Sequence, residues 1–281
     1  MKLLRYGPVG AEKPGMLDPQ GQIRDLSSKV ADFAGDTVAI AALAPLRGID
    51  PETLPLVEGR PRLASPLAWV QNFYCIGLNY AAHAAETGAA IPVEPLVFSK
   101  ATTSLAGPED DILIPRGSLR TDWEVELGIV IGTRCHHVTE AEALSHIAAY
   151  VAVNDVSERD FQKQRGGQWI KGKSAPSFGK IGPWLVSADE IPDPQALDLA
   201  LWVNGAQRQG SNTSDMIFSV AQIVSYLSSF LELRPGDVIA TGTPSGVGAG
   251  MAPPTFLAPG DQVRLAVQGL GVQDSRVRAA D

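Results

Sequence analysis

Three short segments carry residue types that chemistry can use. In DWEVELGIVIG the period-two alternation of an extended strand puts Glu124 and Glu126 on one face and Val125 and Leu127 on the other. Two adjacent carboxylates repel, and on so apolar a strand their burial is costly unless a cation turns both into oxygen ligands, as Mg2+ or Mn2+ would. A solvated strand face is the competing reading. Asp122 shares the parity, so spacing does not exclude it as a ligand. In YVAVNDVSERDFQ an apolar strand ends at Asp155, ahead of a polar segment with Arg159, Asp160 and Gln162. A carboxylate at a strand end is placed to line a pocket, whereas an isolated Asp155 or Asp160 reads as a helix cap.

In GLNYAAHAAETG, His83 and Glu86 are three apart and share a helical face. A carboxylate beside an imidazole orients it and raises its basicity, which suits a water-activating base near neutral pH; a surface ion pair is the plainer alternative. His136 and His137 read as a turn and His146 as part of an amphipathic helix. RGGQWIKGKSAPSFGKIGPW combines Lys171 and Lys173 with flexible backbone, as a loop closing over an anion would. TGTPSGVGAG lacks both the strand-GxGxxG-helix context of a dinucleotide site and the lysine of a phosphate loop. Its Thr241 and Thr243 offer hydroxyls to a carboxylate or sit in an ordinary turn.

Mostly strands must hold these residues. ELGIVIG, YVAVND, LALWVNG, DVIATGT and QVRLAVQG are strand-like. One helix is announced by the capping box Thr139 to Glu142, running into ALSHIAAY; another is MIFSVAQIVSYLSSFLEL, with Ile217, Val220, Ile223, Val224, Leu227 and Phe230 at core-facing spacing. LLRYG, GMLDPQGQI and TVAIAAL read as short strands and turns. The expectation is a mixed α/β, strand-rich fold with a small N-terminal domain over 1–66 and a catalytic domain over 67–281.

A net charge of −8 and scattered Lys and Arg exclude a basic nucleic-acid face. Cys75 and Cys135 have no CxxC spacing and read as reduced, buried thiols. With no secretory h-region and no bilayer-length apolar run, a cytoplasmic protein with no membrane partner is expected.

Taken in order over roughly residues 70 to 270, GLNYAAHAAE, WEVELG, NDVSERDFQ, KGK, VNG, MIF, LRPGD and TGTPSGVG resemble the motifs of the fumarylacetoacetate hydrolase family. The resemblance implies a β-roll-like catalytic domain, usually in a homodimer, with Glu124, Glu126 and Asp155 binding Mg2+ or Mn2+. It implies a His83–Glu86 catalytic dyad on a lid, Lys173 against substrate or developing enolate, and Gln162, Thr243 and Tyr80 lining a pocket for a small 2-keto acid. KSAPSFGK departs from the family's KSF and DTF-like run, which puts the wall near Ala175 to Ser177 in question. The N-terminal segment, RGGQWIKGK and GPWLVS look most like the branch that hydrolyses 2,4-diketo-3-deoxy-L-rhamnonate or fuconate at C3–C4, to pyruvate and L-lactate in the rhamnonate case. Relatives with similar motifs act as acylpyruvases, oxaloacetate decarboxylases or keto-acid isomerases; outside enzymes, a metal or keto-acid binding protein is the alternative.

Overall fold

The structure, a computed structural model, describes residues 1–280. At its centre are two antiparallel strands, Val125–Ile131 and Ile147–Asp155, buried along their whole length. They belong to an eleven-stranded sheet. On one side it continues through Leu185–Ser187 to the N-terminal strands Lys2–Tyr6, Lys13–Leu17 and Ile23–Asp25; on the other it continues through Val238–Ala240 and Phe73–Gly77 to Leu96–Lys100. A five-stranded sheet runs in the order Ala206–Asn212, Asp198–Val203, Gln262–Val267, Gly271–Ala279 and Ile112–Ile114. The fold is mixed α/β and strand-rich, as the alternation predicts.

Strand parity divides the interior in two. Val125, Leu127, Ile129 and Ile131 pack into a core shared with the five-stranded sheet and the helix Val220–Ser228. Val130, Val151 and Val153, of opposite parity, pack into a second core with Phe33, Leu43 and Phe73. Segment 1–66 is joined to the rest through that second core and through the pairing of Lys2 with Val186. Glu124 and Glu126 share the parity of Val130, and Asp155 that of Val153, so all three carboxyl groups fall at one end of the second face.

Some expected elements differ. TVAIAAL is helical: Gly35–Val38 and Ala44–Gly48 are single 3-10 turns flanking the helix Ile40–Leu43. A short apolar run is ambiguous by period, and alanine favours the helix that buries Val38, Leu43 and Leu46 together. The Thr139–Glu142 capping box forms, yet its helix stops at Ala143 and IAAY enters the central strand, where pairing with Val125–Ile131 outweighs local helical preference. MIF precedes its helix, because Ser219 caps the Gln222 amide, and Phe230 lies beyond the helix, 66% exposed, with its ring on Tyr226. Among the described residues no helix is long and apolar enough to cross a membrane.

One buried cation ties the edge of this frame to the Asp155 strand. Lys180 pairs opposite Asn154, and its Nζ donates to the carbonyls of Gly107 and Asp110 at 2.8 and 2.5 Å. Burial pushes the ammonium down to about 8, with Asp110 and Asp111 opposing that effect. The unfolded chain therefore binds more protons than the folded one between about pH 8 and the ordinary lysine value, so stability rises with pH across that window. Relative to Lys180→Met, the wild type should gain about 3 kcal/mol of unfolding free energy over that window, read by denaturant titration. A pH-independent difference between the two proteins would contradict a lysine held below its ordinary value by burial.

Candidate active site

The antiparallel register assembles the carboxylates. Glu126 stands opposite Val153, and the Asp155 amide donates to the Glu124 carbonyl at 2.9 Å, so the start of one central strand meets the end of the other. One carboxylate oxygen from each of Glu124, Glu126 and Asp155 lies within 4.8 Å of the others, and all three residues are buried. Asp122, the fourth acid, stands outside that cluster, with its carboxylate taken up by backbone amides and Arg159.

Three buried cations answer this charge. Lys173 Nζ bridges Glu124 Oε2 and Asp155 Oδ2, at 2.6 Å to each. Arg159 Nη1 meets Glu124 Oε1 at 2.7 Å, and Lys100 Nζ meets Asp155 Oδ1 and the Val156 carbonyl. Burial pushes the Glu124 carboxyl up, but Lys173 and Arg159 outweigh it and hold the group well below the usual carboxylate range. Glu126 has no such partner, only the Gly242 amide at 2.7 Å. Burial, then Asp155 and Glu124, push it well above the ordinary range. Three buried oxygen donors, one of them lacking a cation, form a set chemically suited to a hard divalent ion such as Mg2+ or Mn2+.

His83 and Glu86 lie on the short helix Ala81–Glu86, entered from the extended residue Tyr80. His83 Nδ1 and Glu86 Oε1 are 2.7 Å apart, while Glu86 Oε2 accepts from the Gly246 amide at 2.8 Å. Nδ1 is thereby engaged, and among the described residues Nε2 has no protein partner. His83 lines a cavity of about 130 Å3 together with Glu124, Glu126, Lys173, Arg159 and Gln162. Phe98 and Trp169, their rings 5.1 Å apart, make its apolar wall.

The remaining expected residues divide. Gln162 lines the cavity and accepts from Arg159 Nη1 at 3.2 Å. Thr243 also lines it, but its hydroxyl donates to the Val125 carbonyl and accepts from Gln209. Thr241 likewise donates to the Leu127 carbonyl, so both threonines bind the backbone of the strand Val125–Ile131 and not a carboxylate. Tyr80 lies outside this cavity, buried, with no partner for its hydroxyl among the described residues, and borders a separate hollow with Ser211 and Asp215. In KGK the two lysines part: Lys171 points outward to the Arg165 carbonyl, and Lys173 points in. Gly172 permits this, since a Cβ there would come within 2.3 Å of the Glu158 carbonyl. Ser177, in the departing KSAPS run, donates toward neither carboxylate nor cavity; its hydroxyl takes the Leu113 amide.

Sequence reading assigned no role to Lys100 or Arg159. Lys100 closes the edge strand Leu96–Lys100, in which it is the one buried residue, so its meeting with Asp155 follows from strand pairing and not from local pattern. Arg159 was visible in the polar run after Asp155, but only the short strand Ser157–Glu158, paired with Thr121–Asp122 and leading into the helix Arg159–Lys163, brings its guanidinium back to Glu124.

Comparison with known proteins agrees with this geometry. Residues 72–278 match the fumarylacetoacetate (FAA) hydrolase C-terminal family. A Burkholderia cenocepacia (strain HI2424) protein, provisionally named a hydrolase with no substrate given, is 59% identical over 281 residues, covering both chains fully. Among solved structures, a fumarylacetoacetate hydrolase from Exiguobacterium antarcticum superposes with TM-score 0.85 at 34% identity over all of both chains. A 2-hydroxyhepta-2,4-diene-1,7-dioate isomerase from Mycobacterium marinum gives 0.76 at 30% over 99% of this chain and 98% of that one. Maleylpyruvate hydrolase from Sphingobium sp. SYK-6, solved with manganese(II) and pyruvate, gives 0.82 at 26% over all of both chains. With its acidic cluster, its histidine dyad and these full-length similarities, the chain belongs to the fumarylacetoacetate hydrolase family of enzymes.

Proposed function

We propose that this enzyme hydrolyses the C3–C4 bond of a 2,4-diketo acid, with 2,4-diketo-3-deoxy-L-rhamnonate or the fuconate as the leading substrate. The carrying observation is the convergence on one small cavity of a carboxylate-held imidazole, three buried carboxylates and a buried lysine. About 130 Å3 suits a small organic acid, being below the roughly 300 Å3 at which drug-sized pockets begin. A Mg2+ or Mn2+ ion held by Glu124, Glu126 and Asp155 would supply Lewis-acid stabilisation of negative charge on the substrate.

The chain's own groups do the rest. Glu86 holds Nδ1 of His83, leaving Nε2 to take a proton from water. The water oxygen attacks C4, the C3–C4 bond breaks, and its electron pair moves onto C3 as a pyruvate enolate. Lys173 offers its ammonium to the enolate oxygen, while Gln162 and Thr243 bound the substrate. Protonation of C3 completes pyruvate, and the acyl half leaves as a carboxylic acid, lactate in the rhamnonate case. Two buried free thiols suit the reducing setting of a cytoplasmic enzyme.

Pyruvate release from a panel of 2,4-diketo acids and oxaloacetate, with Mg2+, Mn2+ or EDTA, tests this reading. Metal-dependent pyruvate plus lactate from the deoxysugar acid is expected, and His83→Ala should lower turnover by about 10²- to 10⁴-fold while metal still binds. Carbon dioxide from oxaloacetate alone would move the assignment to a decarboxylase, and rearrangement without cleavage to an isomerase.

A homodimer is part of the proposal. Its support is exposed apolar surface at Ile91 and Val93, 59% and 97% exposed, on a segment whose Glu94 reaches Tyr226, the ring neighbour of exposed Phe230. Light scattering should return twice the chain mass of 29.7 kDa, and Val93→Asp should shift it toward one chain. A wild-type mass of one chain would contradict pairing.

A further inference from the structure

Asp122 is fully buried and its carboxylate is saturated. Oδ1 accepts from the amides of Trp123 and Gly248 at 2.9 and 2.7 Å; Oδ2 accepts from the Ala249 amide and Arg159 Nε at 2.9 and 2.8 Å. Two of these donors belong to the glycine-rich loop that follows Pro244, and one belongs to the cavity arginine. The same loop reaches the dyad, because the Gly246 amide donates to Glu86 Oε2 at 2.8 Å. Trp123 Nε1 holds the other side of that peptide segment, donating to the Gly246 carbonyl at 3.1 Å.

The loop is wedged as well as bonded. A Cβ on Gly246 would lie 1.9 Å from the Arg208 carbonyl, and one on Gly248 would lie 1.9 Å from the Thr255 carbonyl. Its backbone has little room to drift while Asp122 holds it.

We propose that Asp122 is a positioning residue which sets the His83–Glu86 dyad and the Arg159 guanidinium at once, through the Gly246–Ala249 backbone. From Asp122 the bonds run through Gly248 and Ala249 to Gly246, Glu86 and His83 in one direction, and through Arg159 to Glu124 and Gln162 in the other. The imidazole and the guanidinium, both lining the cavity, therefore share one reference point, the Asp122 carboxylate. This rests on the reading of His83–Glu86 as the base for the reaction proposed above.

Asp122→Asn tests it. The amide puts an N–H donor where an acceptor stood, facing either the Trp123 and Gly248 amides or Ala249 and Arg159 Nε, so donor meets donor on one side. Amide exchange, which needs no turnover, should rise about tenfold or more at Gly246, whose own bond goes to Glu86 and not to Asp122. Increases confined to Gly248 and Ala249 would overturn the proposal. On whichever diketo acid the wild type cleaves, Asp122→Asn should lower kcat about tenfold or more and raise KM. Asp122→Asn with Glu86→Gln should lose less than the product of the two single losses, because one of the two arms from Asp122 acts on the same imidazole as Glu86. Losses that multiply would mark a separate, merely structural role. Should Asp122→Asn not fold, Arg159→Lys removes the Nε donor to Asp122 Oδ2 and leaves the carboxylate in place; faster Gly246 exchange supports the linkage through Asp122, and unchanged exchange contradicts it. Absence of any wild-type turnover would sink the hydrolase reading, leaving the exchange result to decide the linkage.

Discussion

Burial of carboxylates against an apolar sheet is the constraint from which the site follows. Glu124, Glu126 and Asp155 stand at the end of two fully buried strands, on the same face as Val130 and Val153. Ionised acids in such a place are tolerated only with partners. Lys173, Arg159 and Lys100 come from three separate segments to supply them. With Asp122 counted, four buried carboxylates face three buried cations, and the deficit falls on Glu126. A divalent cation bound among the three acids would reverse that deficit, since it favours the ionised form of each ligand.

The surrounding architecture keeps these groups from relaxing toward water. Thr241 and Thr243 lock the Val125 and Leu127 carbonyls, and Gly242 between them donates to Glu126. Gln209, arriving from the five-stranded sheet, bonds both Thr243 and the Val125 amide. The strand Val125–Ile131 is thus braced from both sheets, while the dyad rides on a short helix attached through Glu86 to the Gly246 peptide. Carboxylates held on strand ends and an imidazole–carboxylate pair held on a loop-anchored helix are suited to different degrees of motion.

Much of this was legible in the chain. The alternation of DWEVELGIVIG and the apolar run into Asp155 are properties of single strands, and the i,i+3 spacing of His83 and Glu86 belongs to a single helix turn; each survives into the structure. What could not be read depended on which strands are neighbours. Lys100 reaches Asp155 only because Leu96–Lys100 pairs with Phe73–Gly77, which pairs with Val238–Ala240 beside Val125–Ile131. TVAIAAL and IAAY were misread where a few apolar residues fit both periods and the packing partner decided between them. Thr243 lines the cavity, and its hydrogen bonds depend on Gln209, 34 residues away in sequence.

Manganese binding followed by calorimetry, in two buffers of different ionisation heat, tests most directly whether the buried acids form a cation site. Because burial and its two acidic neighbours raise Glu126 well above the ordinary carboxylate range, uptake of about one ion per chain should be accompanied by proton release and tighten as pH rises. In Glu126→Gln that proton release should vanish along with most of the affinity. Absence of binding, or binding with no proton released at neutral pH, would contradict a cation site built on an uncompensated carboxyl group.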